Sequence, residues 1–427
     1  MDSQLSIAII GAGPSGLVFA RLLELGGITD YVIYERDESA TPGPWQQGGT
    51  LDLHGPSGQL ALKRAGLFEK FSRNLARWEA SGLRLVDSTG ATVIQMGEGR
   101  DAPEIDRLQL RQFLLDSVPA HKIRWGHAVR TVERNANVGR ASTDNGCIIH
   151  FVNGTSASGF RLIVGADGAW SKVRPLLTSA RPVYSGKMFI EGSLSHDNPS
   201  HAIATEMVGP GNMAVLGNGN QMSVQQVSDG TYRVYFWLPV PADFYHHRQP
   251  STVAGTNPTS KTETVRQLLL SSNDFYATWA PKLRAMVETA EGPFRAWPLY
   301  HMEPESVGWT RSVAPGVTLL GDAAHLSTPF AGEGVNYSMH DAVELADCII
   351  EQCGPDANSV TQKDTALEDA LTAYEEDMFL RGRHLICHSA QIERMMFAEN
   401  AAALCLEFFK QAVHSQGDSS QSVGKGQ

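Results

Sequence analysis

The stretch LSIAIIGAGPSGLVFARLLELGG, residues 5–27, decides the fold. Residues 5–10 are a continuous apolar run of strand length, and the periodic pattern from Leu17 onward is helical. Between them stand Gly11, Gly13 and Gly16, with Ser15 in the same turn. Glycines at this spacing permit a sharp turn, close backbone approach to a pyrophosphate, and tight packing of helix on strand. The N-terminus of the helix that follows offers free N–H donors and a partial positive charge. Tyr31-Val32-Ile33-Tyr34 is a second short strand, so the segment predicts a β-α-β unit with parallel neighbours. Glu35 closes that strand 19 residues after Gly16, where a carboxylate can accept hydrogen bonds from a ribose diol. A dinucleotide site is the expectation, and an ordinary tight α/β turn is the alternative.

Two further glycine turns follow. Leu162-Ile163-Val164-Gly165-Ala166-Asp167-Gly168 reads as a strand ending in Asp-Gly, with a helix expected at Ser171-Lys172-Val173-Arg174. Leu320-Gly321-Asp322-Ala323-Ala324-His325 leads to Pro329-Phe330-Ala331-Gly332-Glu333-Gly334-Val335-Asn336 and a helix over 335–351. Asp322 can accept from a sugar-like hydroxyl chain, and Gly332 and Gly334 allow close backbone approach at a helix start. Earlier in the chain, Asp106 and Gln109 form a capping-box pattern for a helix over 107–118, which places Arg107 and Arg111 on one face.

The texture changes between about 180 and 295. Short alternating or aromatic segments (203–208, 213–216, 222–227, 231–238) are separated by turn signals, which predicts an antiparallel sheet. The α/β pattern resumes at Val317-Thr318-Leu319-Leu320, so the first domain is discontinuous. The expected organisation is an α/β dinucleotide-binding domain over 1–179 and 295–355, a β-sheet substrate domain over 180–294, helices over 356–414 with a break near Gly382, and a disordered tail over 415–427.

Composition narrows the function. The net charge of −11, with no basic run, disfavours nucleic acid. Five cysteines without a CxxC pair argue against a zinc site or a disulfide frame, so no metal is expected and a reducing, cytoplasmic compartment is. The start MDSQLSIAII lacks a basic n-region, and no stretch reaches the roughly 18 apolar residues of a membrane helix. Apolar and charged fractions of 42% and 19% fit an ordinary globular protein; a monomer or weak homo-oligomer is the expectation, which composition does not decide.

Taken as a set, the dinucleotide turn, the Asp-Gly turn and the Gly-Asp turn resemble the fingerprints of the class A flavin monooxygenases, the p-hydroxybenzoate hydroxylase superfamily. Within it the chain most resembles the tetracycline-inactivating flavin monooxygenases and their fungal relatives. Further carriers are Gly48-Gly49-Thr50-Leu51-Asp52-Leu53-His54 and Glu104-Ile105-Asp106-Arg107-Leu108-Gln109-Leu110-Arg111. The resemblance implies a Rossmann-like fold and non-covalent FAD. It places Glu35 at the adenosine ribose, Arg36 beside the adenine half, and Arg111 and Asp322 at the ribityl and pyrophosphate. Gly49, Asp52, Pro329 and the Gly332–Asn336 backbone, Val335 included, would surround the isoalloxazine, and Asp167 belongs to the second fingerprint. NAD(P)H would act as a transient reductant, and a C4a-hydroperoxyflavin would hydroxylate or epoxidise an aromatic or polycyclic small molecule. Close relatives carry a basic residue seven positions before the residue that corresponds to Asp52, implicated in reaching the nicotinamide. This chain has Trp45 there, which leaves Gln46, Gln47 or Arg107 to take its place.

With one GxGxxG and no second β-α-β unit, two-Rossmann flavoproteins are disfavoured. Candidate substrate contacts are Tyr235 and Trp237, which share one strand face, together with Phe330 and Glu191. Glu191 corresponds to a substrate-contacting position that is commonly Gln in the tetracycline enzymes. His325 and His54 read as structural, and His246-His247 as solvated. No catalytic amino acid is required, because flavin and pocket carry the chemistry. The competing readings are a non-oxygenating dehydrogenase or reductase of the same fold, and a non-catalytic flavin-binding protein.

Overall fold

The structure, a computed structural model, describes residues 5–43, 48–97, 99–134, 144–217, 219–247, 258–355 and 363–410. Trp45, Gln46, Gln47 and the expected tail over 415–427 lie outside the described residues, as do the side chains of His246 and His247. The chain divides into two compact units. One comprises Met1–Ala76, Glu104–Val183 and Tyr300–Ala390; the other comprises Arg77–Pro103, Tyr184–Leu299 and Gln391–Gln427.

The first unit is built on a five-stranded parallel sheet in the order Val317–Leu319, Leu162–Gly165, Ile7–Ile10, Tyr31–Tyr34, Ile123–Arg124. The central strand is buried on both faces, which explains its uninterrupted apolar sequence. Helix Pro14–Leu25 connects it to Tyr31–Tyr34 and packs against helix Gly334–Cys353. At their contact a Cβ on Gly26 would lie 2.4 Å from Ile350 Cδ1, so the close approach requires glycine. A three-stranded antiparallel sheet (Val129–Arg134, Cys147–Phe151, Ser156–Ser158) and a two-stranded ribbon (Thr50–Asp52 with Glu104–Asp106) complete the unit. This is the Rossmann-like architecture expected from residues 5–27, made discontinuous by the return of the α/β pattern at Val317.

The second unit holds a seven-stranded sheet ordered Glu291–His301, Val183–Leu194, Tyr232–Leu238, Gln221–Gln226, Asn212–Leu216, Leu83–Asp87, Thr92–Met96. One face buries Met188, Ile190, Met222, Val224, Val234, Phe236 and Leu238 in a core that also takes in Val265, Leu269, Leu283 and Met286. The last four come from helices Pro258–Ser271 and Pro281–Thr289. Strand Leu83–Asp87 joins this sheet through parallel pairing with Asn212–Leu216, although the sequence grouped residues 77–103 with the dinucleotide half.

Four local expectations are corrected. Residues 203–208 are not a strand, because His201–Met207 is a short helix with Ala204 on its buried side. The helix expected after Asp167-Gly168 is only a 3-10 turn, Arg174–Leu176, since Pro175 follows directly and Arg174 turns inward. Asp106 occupies the N-cap position of helix Arg107–Leu115 without a side-chain capping bond. Helix Lys363–Met396 runs unbroken through Gly382, whose missing side chain instead admits His325: a Cβ there would lie 2.7 Å from His325 Cβ.

Candidate functional site

The parallel sheet brings the three glycine turns of the first unit together. A Cβ on Gly11, whose φ is +110°, would lie 2.4 Å from the Ala166 carbonyl oxygen, so the first turn rests against the Asp-Gly turn. Gly321, at φ +60°, faces Ser338 Oγ and Ser15 Oγ, so the Gly-Asp turn rests against the first helix. Arg174 fastens the second turn to the third. Its Nε donates to the Ala323 carbonyl at 2.8 Å, and Nη2 donates to the carbonyls of Ala169 (2.8 Å) and Asp322 (3.1 Å). Its sequence neighbours were visible in the motif, but nothing local signalled this cross-link.

Around this junction the backbone is exposed where a ligand could lie. No atom from elsewhere in the chain stands within 4 Å of a Cβ built on Gly13, the N-cap of helix Pro14–Leu25, or on Gly334, the first residue of helix Gly334–Cys353. Asp322 is exposed to solvent, yet protein crowds it so closely that burial raises its carboxyl pKa against the pull of His325, Arg107 and Arg174. An exposed carboxylate next to Gly321, which itself faces Ser15 and Ser338 of the two helices, together with uncovered glycine backbone at Gly13 and Gly334, fits a ligand with hydroxyls and phosphates. The open space at Gly13 and Gly334 thus matches a dinucleotide cofactor.

Glu35 is 6% exposed and already committed to the loop: Oε2 accepts from the Ala12 N–H at 2.6 Å, and Oε1 from the Asp37 N–H at 3.0 Å. Arg111 likewise braces the turn. Its Nη2 meets Asp37 Oδ2 at 2.9 Å and its Nε donates to the Ala12 carbonyl at 3.4 Å. Asp37 was missed in the sequence, where nothing but its place after Glu35 marks it. Arg36 is exposed. Asp167 Oδ2 accepts from the Lys172 N–H at 2.7 Å, and burial raises its pKa.

The start of helix Gly334–Cys353 is locked to strand Thr50–Asp52 by side chains. Asn336, fully buried, accepts through Oδ1 from the N–H groups of His54 (2.8 Å) and Gly58 (3.2 Å), and its Nδ2 donates to the Asp52 carbonyl at 2.9 Å. Beside it, the His54 ring spans two carboxylates: Nε2 to Asp52 Oδ2 and Nδ1 to Glu333 Oε1, each 2.9 Å. Burial disfavours the imidazolium, but the hydrogen bonds and charges of Asp52 and Glu333 outweigh it and push its pKa up to about 10. His54 is therefore a charged bridge. Gly49 and Gly332 take positive φ (+82° and +71°), and Pro329 and Phe330 form the 3-10 turn that leads into this helix start.

Under the Gly-Asp turn lies a second charge network, built on the buried pair His325 and Asp341 with the half-buried Arg381 beside it. His325 Nε2 is 2.6 Å from Asp341 Oδ2, which also accepts from the Gly321 N–H at 2.9 Å, while Asp341 Oδ1 meets Arg381 Nη2 at 3.0 Å. Burial opposes charge on both partners, but their mutual attraction lowers the Asp341 pKa and raises that of His325. His325 is thus a positioning residue with its ring turned to Asp341.

In the second unit, Glu191, Tyr235 and Trp237 share the sheet face opposite the apolar core, as their alternation predicts. Phe189 lies among them, 4.8 Å from Trp237 and 5.5 Å from Tyr235 between ring centroids. Trp297 joins them from strand Glu291–His301, donating to Glu191 Oε2 at 3.1 Å. Neither Phe189 nor Trp297 was singled out in the sequence. Phe189 was findable, two residues from Glu191 on the same face.

Among the described residues no helix is long and apolar enough to cross a membrane, and no group of three or more His, Cys, Asp or Glu side chains is placed to hold a metal. All five cysteines are free.

Comparison with known proteins agrees with this geometry. The family described as FAD binding domain matches residues 4–195 and 278–386. Monooxygenase asqM of Emericella nidulans is 30% identical over 442 aligned residues, covering 94% of this chain and 98% of that protein. Monooxygenase penA of Penicillium thymicola is 32% identical over 403 aligned residues, covering 88% and 91%. In fold, the chain is similar to crystalline HpxO of Klebsiella pneumoniae, solved with FAD and uric acid, at a TM-score of 0.72 and 22% identity over 96% and 93% of the two chains. The chain belongs to the FAD-binding class A flavin monooxygenases, the p-hydroxybenzoate hydroxylase superfamily, as an enzyme related to fungal monooxygenases.

Proposed function

We propose that the protein uses NAD(P)H and O2 to hydroxylate or epoxidise an aromatic or polycyclic small molecule. The observation that carries this reading is the convergence of the three glycine turns on an open junction flanked by two free helix N-termini. Bound there, FAD would supply the redox chemistry, in which two electrons from NAD(P)H reduce O2 so that one oxygen atom enters the substrate and the other leaves as water.

Each residue then has a physical task. The Gly11–Gly16 turn and the N–H groups opening helix Pro14–Leu25 bind the pyrophosphate, with Ser15 inside the turn. Glu35 holds the loop and keeps lone pairs for the ribose, with Arg36 beside the adenine half. Arg111, Asp167 and Asp322 order the pyrophosphate and ribityl region. Gly49, Asp52 and Pro329 shape the isoalloxazine site. The Gly332, Gly334, Val335 and Asn336 backbone presents the positive end of a 20-residue helix, which favours the negative charge of a reduced ring system. In the second unit Glu191, Tyr235 and Trp237 supply contacts to the substrate. Five free cysteines fit a reducing, cytoplasmic setting.

The test is turnover of purified, FAD-loaded protein with NADPH under labelled oxygen, across phenols, polyketides and alkaloids. Substrate-stimulated NADPH oxidation with one labelled oxygen atom in the product supports the reading. Reduction without labelled product moves the enzyme to the dehydrogenase or reductase class. Protein that retains no flavin overturns the cofactor assignment.

A further inference from the structure

The face of the seven-stranded sheet opposite its apolar core carries an arrangement more specific than an aromatic wall. Cross-strand register places Phe189 opposite Trp237, Glu191 opposite Tyr235, and Ser193 opposite Arg233. On the next strand Ser223 and Gln225 continue the rows of Tyr235 and Arg233. Phe189 stacks toward Trp297 at 6.3 Å with an interplanar angle of 28°, so flat surfaces face each other on this sheet face.

Glu191 lies among these rings at 6% exposure. Its Oε2 accepts one indole hydrogen bond, from Trp297, and its Oε1 stands 4.0 Å from Arg233 Nη1. A carboxylate has about four lone-pair sites, and a buried one with few donors is costly. The Arg233 Nε is itself buried and without a hydrogen-bond partner among the described residues. An under-used acceptor and an under-used donor thus stand side by side, next to stacked rings, on one rigid sheet.

We infer that this face selects a planar aromatic substrate whose polar edge offers a ring N–H or O–H to Glu191 and, on the adjacent position, a carbonyl-type oxygen to Arg233. The inference rests on the monooxygenase reading for the word substrate, and its test is separate from turnover.

Binding is measured by calorimetry on FAD-loaded protein without NADPH, using isoquinolone, N-methylisoquinolone and naphthalene. Wild-type protein should bind isoquinolone about 10- to 100-fold more tightly than its N-methyl form, the range of one hydrogen bond to a charged group. Naphthalene should bind more weakly still. Glu191→Gln keeps an acceptor for Trp297 but loses the charge, so it should shrink the N–H preference several-fold. Arg233→Met should weaken isoquinolone and N-methylisoquinolone alike, because both keep the carbonyl. If Glu191 only steadies Trp297, wild type will not distinguish the N-methyl pair, and that result overturns the inference. Failure of all three probes to bind at millimolar concentration overturns it as well. The wild-type comparison stands even if a variant misfolds. Oxygen incorporation, not these affinities, decides whether the enzyme is a monooxygenase.

Discussion

Replacing His54 with glutamine tests the charged bridge at the start of helix Gly334–Cys353. In the wild type the imidazolium donates to Asp52 and Glu333 at 2.9 Å each, and its pKa is pushed from 6.5 up to about 10. At roughly 1.4 kcal/mol per tenfold change in proton affinity, that rise corresponds to about 5 kcal/mol of stability. Two charge-assisted hydrogen bonds at about 1.5–3 kcal/mol each give the same order. The three side chains are 20–25% exposed, so solvent screening brings the expected effect down to about 3 kcal/mol. The sign follows from the raised folded pKa: the contribution is complete below pH 6.5, declines as pH rises, and is gone above about pH 10. Urea denaturation of wild type and His54→Gln, followed by a probe in the first unit, should show a gap of about 3 kcal/mol at pH 6 that closes by pH 10. A gap that stays constant with pH would mean that His54 acts through packing alone. One that widens with pH would refute the charge assignment.

Four other substitutions probe the same unit. Gly13→Ala meets open space at an ordinary negative φ, so the apoprotein should keep its stability within about 0.5 kcal/mol while FAD affinity falls, as fluorescence titration would report. Gly11→Ala combines a φ of +110° with a carbonyl oxygen 2.4 Å from the new Cβ, and should cost on the order of 3 kcal/mol in chemical denaturation. Asp341→Asn removes the carboxylate that faces buried His325, and Arg381 keeps Asp377 as a second partner; the loss at His325 should cost about 3–5 kcal/mol of stability and loosen the Gly321 turn, and a thermal midpoint equal to wild type would contradict this. Asp322→Ala should fold normally and purify largely without flavin, and full FAD retention would remove the Gly-Asp turn from the cofactor site.

What could be read in the sequence, and what could not, follows from the range over which each signal acts. Glycine positions are local statements about backbone geometry, so the turns at Gly11, Gly165 and Gly321 were legible, as was the strand alternation that sorts Tyr235 and Trp237 from Phe236 and Leu238. Misreadings arose where a local signal had more than one cause. The apolar spacing in 203–208 suits a strand or a short helix, and packing against the sheet core chose the helix. Gly382 looked like a helix break because glycine usually weakens helices, whereas here it makes room for a buried histidine 57 residues earlier in the chain. Signals of purely long range were silent. Nothing near residue 85 announces a parallel partner at 214, and nothing near Asp341 announces His325 on one side and Arg381 on the other.

The same distinction explains why the cofactor could be assigned before the substrate. A dinucleotide is held mainly by backbone N–H groups, and glycine spacing encodes where backbone comes bare. A substrate is held by side chains from several strands, and their meeting depends on register. Glu191 on one strand, Arg233 on the next and Trp297 on a third become a recognition group only once the pairing places Glu191 opposite Tyr235 and brings Trp297 within hydrogen-bond reach. On the proposed recognition by Glu191 and Arg233, chemical selectivity is a property of sheet register, and a substitution that slipped one strand by a single residue would turn Glu191 from the aromatic face to the apolar core.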